Sequence, residues 1–163
     1  MGDLICLDNH ILIWGISEYA TSGQELMIDK TKRFLHWLDN RKATILIPAV
    51  VVAEFLMNVP PEHHATITNL LDRSFVIAPF DTLAAMYFSK IWQTKRDQGI
   101  IDEARRNGKT RELMKVDSML VATAVARKAK IIYSHDNKGV CKFAEGFIEV
   151  AEMPDIPEQQ NLF

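Results

Sequence analysis

The stretch LICLDNHILIWG (Leu4–Gly15) is apolar almost throughout, yet it carries an aspartate, Asp8, near its middle. Asp3 to Leu7 reads as a short buried strand, because its apolar residues run on without alternation. Asp8 stands where that strand ends, and Asp8 or Asn9 can cap a following helix over HILIWGIS. An acid at the carboxyl end of a buried strand is an unusual placement, and its meaning depends on where the other acids fall.

Working outward, Gln24 to Asn40 repeats apolar residues at helical spacing. TILIP (Thr44–Pro48) is β-branched and apolar and predicts a second strand, with Pro48 opening the helix PAVVVAEFLMNV. PPEHHATITNLLDRS predicts another helix, FVIAPF (Phe75–Phe80) a third strand, and Asp81 to about Gln98 a long helix. Val116 to Ala129 is alanine-rich and helical, KIIYSHD supplies a fourth strand and GFIEV a fifth. Strands that alternate with helices and are themselves continuously apolar predict an α/β fold, a parallel sheet covered on both faces. Right-handed crossovers then bring every strand's C-terminus to one edge.

The chain has 163 residues, 48% of them hydrophobic, which is enough for one core. A single domain over residues 1–151 is expected, with the proline-containing tail 152–163 unstructured or draped over the surface. The net charge of -2 gives no general attraction for nucleic acid or anionic membrane, so an anionic ligand needs a local basic patch. Two cysteines, Cys6 and Cys141, make no disulfide framework, and no leader or membrane-length apolar run stands out. A cytoplasmic protein with no membrane association is the expectation.

Four acids can be placed against the predicted edge, Asp8 and Asp136 from their strands and Glu54 and Asp117 if their helices bring them there. Asp8 ends the first strand and Asp136 the fourth; Glu54 lies about two turns into the helix after the second; Asp117 opens the helix leading to the fourth. In doubly wound sheets, functional groups collect outside the strand C-termini where strand order reverses. Each acid also has a plainer use. Asp8 and Asp117 serve equally as helix N-caps, a role worth ~1 kcal/mol, and Asp136 as a turn residue in SHDNKG. Glu54 resists such a reading. It is the only charged residue from Ala43 through Val59, with no basic partner nearby in sequence. Two carboxylates ~4 Å apart repel by ~4 kcal/mol at an effective dielectric of 20, so a converged set demands protonation or a cation. All-oxygen ligands suit Mg²⁺ or Mn²⁺ over zinc, and such ions assist hydrolysis at phosphorus. That is nuclease chemistry.

LICLDNHILIW, IPAVVVAEFL and VDSMLVATAVARKAKIIYSHD, in that order, resemble the three signature blocks of the PIN-domain family, the fold of toxin-type ribonucleases and related RNA-processing nucleases. The likeness spans roughly Leu4 to Val150. It implies a Rossmann-like three-layer α/β/α sandwich with a central, mostly parallel sheet of four to five strands. It also implies an endoribonuclease using one or two Mg²⁺ or Mn²⁺ ions, with Asp8, Glu54, Asp117 and Asp136 as catalytic and metal-binding residues. A threonine or serine often follows the first aspartate in that family; here Asn9 stands instead, whose amide can still orient a water or carboxylate. Ser134 and Asp136 both match the fourth position. Toxin-type membership further implies an antitoxin protein partner and a homodimer. The alternative is a catalytically eroded PIN-like module that binds RNA or protein without cutting.

Residues 95–115 form a basic stretch, a helical or loop insertion, with seven Lys/Arg against four Asp/Glu. Such a run is commonly a solvated helix face. Its functional reading makes Lys95, Arg96, Arg105, Arg106, Lys109 and Lys115 candidates to hold RNA phosphates. His10 and His135 flank the acids and are read as structural, as are Trp14, Trp37 and Trp92. Neither a zinc motif nor a glycine-rich phosphate loop occurs.

Overall fold

A computed structural model describes residues 2–135 and 137–158. Five strands, β1 (Leu4–Leu7), β2 (Thr44–Pro48), β3 (Val76–Ala78), β4 (Ile131–Tyr133) and β5 (Glu149–Ala151), form one sheet in the order β3-β2-β1-β4-β5. Every neighbouring pair is parallel. The central strand β1 is the most deeply covered, with Ile5, Cys6 and Leu7 all buried. This burial on both faces is why the strands carry unbroken apolar runs.

The helices are α1 (Asn9–Leu12), which widens into a π turn over Ile13–Ser17, then α2 (Leu26–Asn40), α3 (Ala49–Leu56) and α4 (His64–Ser74), the last entered through a 3₁₀ turn at Pro61–His63. They continue with α5 (Thr82–Asp97), α6 (Ile100–Arg106), α7 (Arg111–Ala126) and α8 (Asn137–Ala144). From β1 the chain steps outward to β2 and β3, then returns past β1 to β4 and β5. Right-handed crossovers therefore send the helices before β3 to one face and those after it to the other. Of these helices, α5 lies against α6, α7 and α8, and α3 joins the two groups by touching both α1 and α7. The expected α/β sandwich is present, and among the described residues no helix is long and apolar enough to cross a membrane.

Two expectations need correction. Asp117 does not open its helix: α7 starts at Arg111, capped by the Thr110 hydroxyl accepting from Leu113 N at 3.3 Å. SHDNKG is more than a turn, because α8 begins at Asn137. Residues 95–115 take the helical of their two expected forms, and the buried Ile101, Ala104 and Met114 pin α6 and the start of α7 to the core. The described tail residues, 152–158, run beside α2. Met153 is buried there, with its sulfur accepting from Thr31 Oγ1 at 3.6 Å, and Asp155 pairs with Lys30 at 2.7 Å.

Candidate functional site

The sheet fixes the centre of the site. Leu7 is in register with Tyr133, so the next residues, Asp8 and Ser134, emerge side by side from β1 and β4. The strand order reverses between these two strands, which is where ligands gather in such folds. Ser134 is fully buried, and its hydroxyl donates to Asp8 Oδ2 at 2.6 Å. The other Asp8 oxygen, Oδ1, accepts from the backbone N–H of Asn9 at 2.6 Å and caps α1. Asp8 is only 8% exposed, so both its oxygens are held in place.

Glu54 comes from α3, the sixth residue after Pro48 ends β2, and is half-buried. Its carboxyl is pushed up to about 7, first by burial and then by the negative charges of Asp8 and Asp117. Asp117, on α7, thus belongs to the same electrostatic neighbourhood as Asp8 and Glu54. Asp136, the fourth expected acid, lies outside the described residues. Burial also raises the Cys6 thiol far above its ordinary value, so this cysteine is an inert core residue.

The basic candidates divide. Lys95 is corrected outright: it is 1% exposed, donates from Nζ to the Glu145 carbonyl at 2.9 Å, and cannot meet a phosphate. Arg96 lies on the surface with its guanidinium on Asp97 at 3.1 Å. Arg105 and Arg106 are exposed at the end of α6. Lys115 is exposed two residues before Asp117, and such neighbours on a helix point about 200° apart. Lys109 reaches the neighbourhood of Asp117. A Cβ built on Gly139 would lie 2.5 Å from Asp117 Oδ2 and 2.6 Å from Lys109 Nζ, so carboxylate and ammonium share the space that this glycine leaves open. The sequence singled out Lys109 but missed Gly139, whose signal is a glycine inside the helical stretch NKGVCKFA.

His10, Trp14 and His135 form an aromatic cluster beside Asp8, with ring centroids 5.0–5.8 Å apart. Trp14 is buried, and His10 and His135 pack against it. Trp37 and Trp92 lie half-buried in their helices.

Carboxylate and amide oxygens are the donor chemistry that a hard divalent ion takes. Burial and the negative charges of Asp8 and Asp117 raise the proton affinity of Glu54, and a cation among these acids would oppose that rise. Among the described residues, the buried Asn9 Oδ1 has no hydrogen-bond partner, and the amine of Lys109 already lies beside Asp117. Among the described residues, no three His, Cys, Asp or Glu side chains stand close enough together to grip one ion as they are.

Solved structures with the same fold include VapBC2 from Rickettsia felis bound to a DNA fragment from its promoter, with a TM-score of 0.65 at 15% identity over 93% of this chain and 99% of that one. DNA-bound VapBC from Salmonella typhimurium gives 0.59 at 13% identity, covering 94% and 100%. VapBC-1 from nontypeable Haemophilus influenzae gives 0.62 at 13% identity, covering 92% and 98%. No curated protein sequence matches the chain. PIN domains are generally nucleases and typically use divalent metal ions. The sequence model of the PIN domain matches residues 5–145, from the middle of β1 to just past α8, and with it the fold and the acids at its switch point find one common description: the chain belongs to the PIN-domain family.

Proposed function

We propose that the protein is a Mg²⁺- or Mn²⁺-dependent endoribonuclease, the toxin of a toxin–antitoxin pair. The observation that carries this reading is that Asp8 and Asp117, from two other elements, raise the proton affinity of Glu54, so that folding puts the three acids in one electrostatic neighbourhood. Asp8, Glu54 and Asp117 would hold the ion, with Asp136 or Ser134 completing the set. A bound divalent ion would supply Lewis-acid stabilisation of the phosphate oxygen and ease deprotonation of the attacking water.

The chain's own residues do the rest. Ser134 holds Asp8 Oδ2 in one orientation, and the Asn9 N–H holds Oδ1. The Asn9 amide oxygen is a spare acceptor for a ligand water. Glu54, half-buried and facing the charges of Asp8 and Asp117, is suited to share the ion or to orient the attacking water. Arg105, Arg106 and Lys115 offer exposed cations for flanking RNA phosphates, while Lys109 stands at the acids themselves.

For partners, the VapBC likeness supports an antitoxin protein. An open cleft of about 490 Å³ beside the site, bordered by His10, Tyr19, Gln24, Asn58 and Val59, offers a place for it. A homodimer would draw on the exposed apolar side chains Leu83, Met86 and Leu113 of α5 and α7.

The second reading is a non-cutting RNA- or protein-binding PIN module. It is favoured by the lack, among the described residues, of three ligands already drawn together. Purified protein incubated with a mixed RNA pool separates the two. Cleavage that needs Mn²⁺, stops with chelator and falls at least ~100-fold in Asp8→Asn supports the nuclease. Cleavage that continues in excess chelator ends the metal reading, and no cleavage with no Mn²⁺-induced rise in melting temperature favours the binding module.

A further inference from the structure

The turn between α6 and α7 is a fixed piece of backbone. Gly108 takes the left-handed conformation (φ +84°), its N–H bonds to the Arg105 carbonyl, and the Lys109 N–H bonds to the Ala104 carbonyl, both at 3.0 Å. This is the double-bonded helix stop that a left-handed glycine permits. Thr110 then caps α7. Lys109 is therefore held from both sides, and its half-buried side chain ends at one place, the gap left by the missing side chain of Gly139. Asp117 Oδ2 lies in the same gap, so the two charges are no more than about 5 Å apart.

We propose that Lys109 is the resident counter-cation of the acidic site and competes with a divalent ion for Asp117. This rests on reading the acids as a cation site. Closely set carboxylates without an ion need compensation from elsewhere, and Lys109 is the cation that the fold delivers to Asp117. An ion bound through Asp117 Oδ2 faces electrostatic repulsion from an ammonium beside the same oxygen, so the ammonium has to leave as the ion arrives. Lys109 is a positioning residue in this scheme: it tunes when the site loads.

The test uses the intact chain, stripped of metal. Mn²⁺ is titrated by calorimetry into wild type, Lys109→Gln and Lys109→Arg. In parallel, thermal unfolding without metal is followed for Lys109→Gln, Asp117→Asn and the double variant. The expected result is Mn²⁺ binding 3- to 10-fold tighter in Lys109→Gln and near wild type in Lys109→Arg. Lys109→Gln should also lower the melting temperature in the wild-type background and not in the Asp117→Asn background. Unchanged or weaker Mn²⁺ binding in Lys109→Gln overturns the competition, and strictly additive melting shifts overturn the pairing. If neither wild type nor variant binds Mn²⁺, the metal reading of the site fails with the competition, while the melting shifts still decide the pairing.

Discussion

Asp8 uses its two oxygens differently, one for the Asn9 N–H and one for the Ser134 hydroxyl. Removing the second partner tests how far orientation matters. Ser134→Ala should weaken Mn²⁺ binding or cleavage by about 10- to 100-fold, as losses of ligand-orienting hydrogen bonds generally do, while circular dichroism shows the fold intact. Glu54 makes a pH prediction. Its folded-state pKa, about 7, lies above the ordinary 4.5. The folded protein thus holds that proton more tightly than the unfolded chain, and stability is lost as pH rises from about 4.5 to 7. Glu54 is half exposed, so the expected loss is discounted to about 1 kcal/mol. Urea melts of metal-free protein at pH 4.5 and pH 8 should show this loss in wild type and not in Glu54→Gln. Glu54 was legible as a lone charge in an apolar run. Lys95 was not, because its partner is a backbone carbonyl fifty residues away and no side-chain pattern announces that.

At the scale of elements, strands were easier to read than helix ends. TILIP bounds β2 as observed, since an apolar β-branched run closed by proline has one good use. The start of α7 was hidden in TRELMK, where only Met114 is buried before the apolar run begins. The first turn of α8 was hidden behind turn-forming residues. Helix stops carry a prediction of their own. Lys128 follows α7 with φ +59°, its N–H on the Val125 carbonyl and the next N–H on the Ala124 carbonyl, a position that suits glycine. Lys128→Gly should stabilise the protein by about 0.5–1 kcal/mol, measured by urea unfolding, because the left-handed strain of a Cβ is relieved.

Over the whole molecule, Asp8, Glu54 and Asp117 are far apart in sequence and come into one electrostatic neighbourhood because α3 packs against both α1 and α7. The order of the blocks made this topology readable, as parallel strands with right-handed crossovers leave few arrangements. The counter-cation was not readable as such, because Gly139 and Lys109 meet only through the packing of α8 on α7. The account therefore stands on one spatial claim, that Asp8, Glu54 and Asp117 serve a common ion. Its most direct measurement is an anomalous difference map from crystals grown with Mn²⁺. The account predicts a peak within direct coordination distance, about 2.0–2.3 Å, of a carboxylate oxygen of Asp8 and of at least one of Glu54 and Asp117. A fully occupied Mn²⁺ elsewhere, with no density between these carboxylates, would contradict it.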